Sequence, residues 1–232
     1  MTFLMALATI VVLLGACRVN KNDKVVKTTG KVQKTLNGMD SFERIKIDAT
    51  CDVHFTQGDS TKVKVVASDA EIMAKTSVES EYGRLTIRTD GWSNWKKSRS
   101  VSIYITSPDL IEVDMDGVGS FQTRGTLDTD TLRLRMDGAG SIKIPSLICD
   151  RLKAEMDGTG SISLTDVTAQ ETFLDMDGVG SIKVKNFKNS GSVYCKMDGV
   201  GSIKLAGEVK TFQKKVEGVG SINTKYLKVM KE

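Results

Sequence analysis

From residue 110 onward the apolar positions of the chain recur in a fixed order. Leu132 and Leu134, Leu152 and Ala154, Thr172 and Leu174, and Val193 and Cys195 each stand four and two residues ahead of a Met, at 136, 156, 176 and 197. A few residues later come Ile142 and Ile144, Ile162 and Leu164, Ile182 and Val184, and Ile203 and Leu205. The positions between the first set, Arg133, Lys153, Phe173 and Tyr194, are mostly polar. Alternation of this kind is the period of a strand with one face in a core and one outside. The pattern therefore predicts two strand stretches per repeat, with the Met inward, and the last interval departs from it by placing Lys214 where an apolar residue is expected.

Between the two stretches lies a hexapeptide of the form Met-Asp-Gly-x-Gly-Ser. Its copies begin at Met115, Met136, Met156, Met176, Met197 and, as Val-Glu-Gly-Val-Gly-Ser, at Val216, with spacings of 21, 20, 20, 21 and 19. A period near 20 residues suits a leucine-rich repeat or a β-solenoid. No copy holds a ten-residue helical pattern or an Asn-x-Leu signature, so an all-β parallel β-helix or solenoid of about six coils is expected over residues 111–232. The two glycines of each copy are expected to supply positive φ or close approach between coils.

Stacked coils lie about 4.8 Å apart, which would set Asp116, Asp137, Asp157, Asp177, Asp198 and Glu217 in one column of like charge. Neighbours about 5 Å apart repel by roughly 0.8 kcal/mol in bulk water and about 3 kcal/mol at an effective dielectric of 20. Hydrogen bonds from the N–H groups of each acid's own turn are the expected compensation. One recurrent acid per coil supplies too few oxygens for calcium, so no metal or other cofactor is required.

Residues 40–110 lack the motif but read as strands at Phe42–Ile47, Asp52–Phe55, Lys62–Val66, Arg84–Arg88 and Val101–Ile105, with turns at Gly58-Asp59 and Tyr82-Gly83. They are expected to form irregular first coils that close the stack, since an open end exposes strand edges and core.

The N-terminus has a different character. Residues 3–14 are uncharged and almost wholly apolar, too short to span a bilayer, and read as the h-region of a signal peptide over residues 1–16. Leu14-Gly15-Ala16-Cys17 resembles a bacterial lipobox, which would make Cys17 the lipidated first residue of the mature protein and its acyl chains a membrane anchor. Arg18 occupies the place where Asp often marks inner-membrane retention, so the expected location is the cell envelope at the outer membrane. Residues 18–39 carry six Lys or Arg against one Asp and read, with Cys17, as a basic tether over 17–39. Because the whole chain is only +4, the remainder sums to −1, and nucleic acid is not an expected partner.

The Phe42-Glu-Arg-Ile-Lys-Ile opening, the strand before Gly58 and the Gly-x-Gly-Ser-Ile coils resemble the "putative autotransporter adhesin, head GIN domain" family of lipoproteins common in Bacteroidota, over about residues 40–232. The resemblance implies a right-handed solenoid, export to the envelope, an adhesin-like role and no catalytic residues to carry over.

Candidate chemistry is sparse. The acids recur in every coil, whereas catalysis by paired carboxylates needs a few positions with separated pKa values. The serine column, Ser120, Ser141, Ser161, Ser181, Ser202 and Ser221, has no repeated base, and His54 is the chain's single histidine. Trp92 and Trp95 in a basic loop could contact a glycan, and an outward Lys143, Lys183 and Lys204 column could attract an anionic one. Cys51, Cys149 and Cys195 are expected to be reduced. The expected function is non-catalytic adhesion or glycan binding by a lipid-anchored scaffold. A polysaccharide hydrolase or lyase and a purely structural envelope protein are the alternatives.

Overall fold

A computed structural model describes residues 24–28, 31–90 and 100–230. Its body is a parallel β-solenoid. Strands β13 (Ala139–Met156), β14 (Thr159–Met176), β15 (Val179–Met197), β16 (Val200–Val216) and β17 (Val219–Val229) each pair in parallel with the next. The motifs superpose: Gly140, Gly160, Gly180, Gly201 and Gly220 are successive partners, as are Ser141, Ser161, Ser181, Ser202 and Ser221.

Each coil has three sides, not the two strand stretches read from the alternation. In β13 the buried residues are Ile142 and Ile144, then Leu147 and Cys149, then Leu152, Ala154 and Met156. Two consecutive outward residues interrupt the alternation at Pro145-Ser146 and again at Asp150-Arg151, and the chain turns there. Asp-Gly supplies the third corner. The middle side continues with Val167 and Ala169, Phe187, and Val209, so apolar side chains from all three sides fill one continuous core. Met115, Met136, Met156, Met176 and Met197 are all fully buried in it.

The N-terminal end is closed by antiparallel strands. β3 (Arg44–Asp48) and β4 (Thr50–Gln57) form the first coil of the chain but the second of the stack. β3 lies between β7 (Arg84–Thr89) and β9 (Glu112–Met115), and β4 lies between β8 (Val101–Ser107) and β10 (Val118–Arg124), all in parallel. β11 (Thr126–Asp128) and β12 (Thr131–Met136) complete the next coil up to β13. The outer edge of β7 is covered by β6 (Thr76–Glu81) and that of β8 by β5 (Lys62–Ala67), both antiparallel. Between β5 and β6 runs α1 (Ala70–Lys75), which the strand pattern did not foresee. The Asp69 carboxylate accepts from the Ile72 N–H at its start, and Ile72 is wholly buried beneath it.

The stretch read as a tether also contains structure. β1 (Lys24–Thr28) and β2 (Lys31–Leu36) form an antiparallel pair, and β2 adds to β5. Val32 is buried and Leu36 packs against the core, so two apolar anchors separated by lysines suffice to dock a strand onto an edge already provided.

Candidate functional site

The side leading into each motif presents three outward columns, at five, three and one residues before the motif's first position. In the central coils the first column reads Arg151, Glu171, Ser192 and Thr211, and the second Lys153, Phe173, Tyr194 and Gln213. An open groove of about 340 Å³ lies along these two columns. The rings of Phe173 and Tyr194 stack at 5.3 Å between centroids and 12° between planes, and Lys153 Nζ sits 5.5 Å from the Phe173 centroid. Arg151 Nε donates to Glu171 Oε2 at 2.9 Å and forms a charged wall. One coil further on, the small Ser192 and Thr211 replace that pair and leave the notch open beside Tyr194. Apolar rings next to hydroxyl, amide and guanidinium groups are the surface that binds sugars, whose C–H faces and hydroxyls need both kinds of partner. Glu171, committed to Arg151, is the sole carboxylate among the residues lining the groove.

The third column lies beside the motif acids. It reads Asp114, Arg135, Glu155, Asp175, Lys196 and Lys215, with Lys46 on the neighbouring β3. The turn N–H groups do not serve the acids, contrary to the expectation above. The N–H groups of Asp137 and Gly138 both donate to the Met115 carbonyl, and those of Asp157 and Gly158 to the Met136 carbonyl. The coil beneath has already claimed them. At four of the six acids compensation comes instead from cations: Arg135 lies 2.9 Å from Asp137 and 3.8 Å from Asp157, Lys46 3.4 Å from Asp116, and Lys215 2.9 Å from Glu217. The Lys215 hydrogen bond and charge hold the Glu217 carboxyl below its ordinary range.

Asp157 differs, because partial burial and the adjacent Asp137 and Asp177 push its pKa up despite Arg135. An acid whose pKa is higher in the folded chain opposes folding once ionised, and that opposition fades as pH falls through the folded pKa. The side chain is half exposed, so the effect is small. Asp157→Asn is expected to raise the Tm by about 1–2 °C at pH 7 and to lose that gain at acidic pH, as differential scanning calorimetry would record.

The other candidate residues are dispersed. Ser120 Oγ donates to the Asp52 carboxylate, while Gln122 Nε2 lies 2.6 Å from His54 Nδ1 and the His54 ring stacks on Tyr104. Burial lowers the His54 pKa, assisted by Arg124. No serine of the column shares a hydrogen bond with His54 among the described residues. Lys143, Lys183 and Lys204 are exposed and in register on the side following the motif, interrupted by Ser163, well away from the aromatic columns in the coil's sequence. Cys51, Cys149 and Cys195 are unbridged and buried, and burial pushes each thiol up to about 12. Trp92, Trp95, Cys17 and the signal segment lie outside the described residues. Among those described there is no metal-holding group of His, Cys, Asp or Glu, and no helix long and apolar enough to cross a membrane.

In the sequence Phe173 and Tyr194 are legible only as the residues alternating with the core positions. The available signal was the change of chemistry down their column, from Arg133 and Lys153 to two successive aromatics.

Comparison with curated proteins gives no match. Several solved structures share the fold. A putative adhesin from Bacteroides fragilis NCTC 9343 is 25% identical and superposes with a TM-score of 0.69, covering 84% of this chain and 97% of that one. A putative adhesin from Parabacteroides distasonis ATCC 8503 is 18% identical, with a TM-score of 0.65 over 83% of this chain and 96% of its own. A putative lipid binding protein from the same organism gives 18% identity and a TM-score of 0.53, covering 84% and 96% respectively. The family model for "putative auto-transporter adhesin, head GIN domain" matches residues 41–192, about two thirds of the sequence, and the chain belongs to that family.

Proposed function

We propose that this protein is a lipid-anchored, non-catalytic adhesin of the cell envelope that binds glycan in the groove beside Phe173 and Tyr194. Membership of the adhesin family supports a place at the cell surface or envelope. The Leu14-Gly15-Ala16-Cys17 sequence supports acylation at Cys17, and Arg18 supports the outer membrane as its destination. The observation that carries the glycan reading is the stacked aromatic pair set among Arg151, Glu171, Ser192, Thr211 and Gln213 on the outside of a rigid stack. Glycoside hydrolysis uses two carboxylates across the scissile bond, and this groove is lined by one that is already ion-paired.

The test is a glycan array probed with the full-length chain in nonionic detergent. Phe173→Ala with Tyr194→Ala is expected to weaken the strongest signal at least tenfold, the loss that follows from removing about 1.4 kcal/mol of ring contact. A blank array overturns the glycan reading. A signal that resists this pair but disappears with Trp92→Ala and Trp95→Ala moves the contact to the segment that carries these tryptophans. Release of reducing ends from an array hit would show a polysaccharide-active enzyme instead.

A further inference from the structure

The two ends of the solenoid are finished differently. The N-terminal end is covered by β5, β6 and α1, whereas nothing covers the C-terminal one among the described residues. Strand β17 pairs with β16 only along residues 200–209, so residues 211–216 of β16 and the outer edge of β17 carry no further strand. The core columns run out into this gap. Five methionines of the inward column are fully buried, but Val216, their next member, is 43% exposed. Val229, in register with the wholly buried Val209, is 50% exposed, and Phe212, in register with the buried Val193, is only partly covered.

The inward column beside Val216 ends on a charge. Leu134, Ala154, Leu174 and Cys195 are followed, in register, by Lys214. Residues 208–230 hold five lysines and two glutamates, and both glutamates are paired, Glu208 with Lys228 and Glu217 with Lys215. Lys210, Lys214 and Lys225 have no ion pair among the described residues.

We infer that this end is a docking site for an extended acidic segment of another protein, which adds as one further rung and sets a carboxylate against Lys214. The outer edges of residues 211–216 and 219–224, which carry no ladder partner among the described residues, ask for a strand, Val216 and Phe212 ask for apolar side chains on it, and Lys214 asks for an anion once covered. A second copy of this end brings the same surplus of lysine and is repelled. An anionic lipid surface would answer the lysines and leave the backbone edge unpaired. The glycan groove shares Thr211 and Gln213 of this rung but uses their outward side chains, whereas docking uses the rung's backbone edge and the inward-column Lys214.

Hydrogen exchange of the full-length chain in nonionic detergent reads the edge directly. The probe is a synthetic rung with the sequence of residues 171–184 carrying Leu174→Glu, which sets Glu opposite Lys214 and Asp175 opposite Lys215 when docked as β15 docks on β14. It is expected to slow exchange across residues 211–224 at low salt, at least tenfold more tightly than the unsubstituted peptide, and to lose its effect when alternate backbone amides are N-methylated. Lys214→Glu in the protein is expected to reverse the preference toward the Leu174→Lys peptide while leaving any glycan binding unchanged. No protection by the acidic peptide, or protection indifferent to N-methylation or to Lys214→Glu, overturns the inference. So does protection that appears only as the protein concentration rises, which assigns the end to a second copy, or only with phosphatidylglycerol vesicles, which assigns it to a lipid surface.

Discussion

Gly160→Ala is expected to lower the melting temperature by at least about 6 °C and to leave a chain that loses its central coils first. Gly160 sits at φ +148°, in a region that L side chains rarely adopt. A methyl group added there would lie 1.9 Å from the Gly140 carbonyl oxygen of the coil beneath. Gly140 lies in a strand paired on both sides, with Gly119 and Gly160 as its partners, so the clash can be relieved only by separating two coils. Backbone strain of about 1–3 kcal/mol joins the cost of the broken ladder, for a total of at least about 3 kcal/mol. In a chain of this size each kcal/mol moves the midpoint by about 2–4 °C. Gly125→Ala is the control: its φ is +75° but its Cβ would meet nothing within 4 Å, so only the conformational penalty of about 1 kcal/mol applies. Thermal unfolding followed by circular dichroism checks both. Equal, small shifts for the two variants would mean that the coils do not touch through their glycines.

The repeat made much of this architecture legible before any coordinates. Alternation identified Ile142, Ile144, Leu152 and Ala154 as inward, and all are buried. It failed at Leu147 and Cys149, because two successive outward residues at each neighbouring corner erase the period-two signal without the Gly or Pro that would announce a turn at Asp150-Arg151. Helix α1 is a six-residue turn stabilised by the Asp69 cap and by burial of Ile72, too short for a helical period to register. The strand character of 24–28 and 31–36 was hidden by lysines, which interrupt the apolar alternation that marks a strand. Chain order within a sheet is not written in local patterning either, and the insertion of β3–β4 between β7–β8 and β9–β10 is a tertiary choice. At the candidate site, the acid column was readable from the motif, but its compensation was not. The turn amides belong to the coil below, and the cations that answer Asp116 and Asp157 come from Lys46 and Arg135, in other strands.

Leu174→Lys is expected to cost about 5 kcal/mol or more at pH 7, although the same residue type occupies the same column two coils later without harm. Leu174 is fully buried between Ala154 and Cys195, so the substitution removes a packed apolar side chain, worth about 2–5 kcal/mol, and places an amine where water cannot follow. Lys214 escapes that cost because its side chain is exposed, with no strand paired above it among the described residues. Position in the stack, not position in the repeat, therefore decides what a residue costs. The pH dependence separates the two contributions. Burial lowers the pKa of the introduced amine below its free value, so the unfolded chain binds a proton that the folded chain sheds. The charge penalty is then absent above the free pKa of about 10.4 and grows as pH falls toward the folded pKa, below which it is constant. Urea denaturation at pH 7 and pH 10.5 is expected to show partial recovery at the higher pH, relative to the parent chain under the same conditions, while the packing loss persists. The reciprocal change, Lys214→Leu, is expected to shift stability by less than about 1 kcal/mol, since an apolar side chain gains little at an exposed position. A large gain from Lys214→Leu would mean that the last rung is covered in solution, and a small loss from Leu174→Lys would mean that the central core admits water.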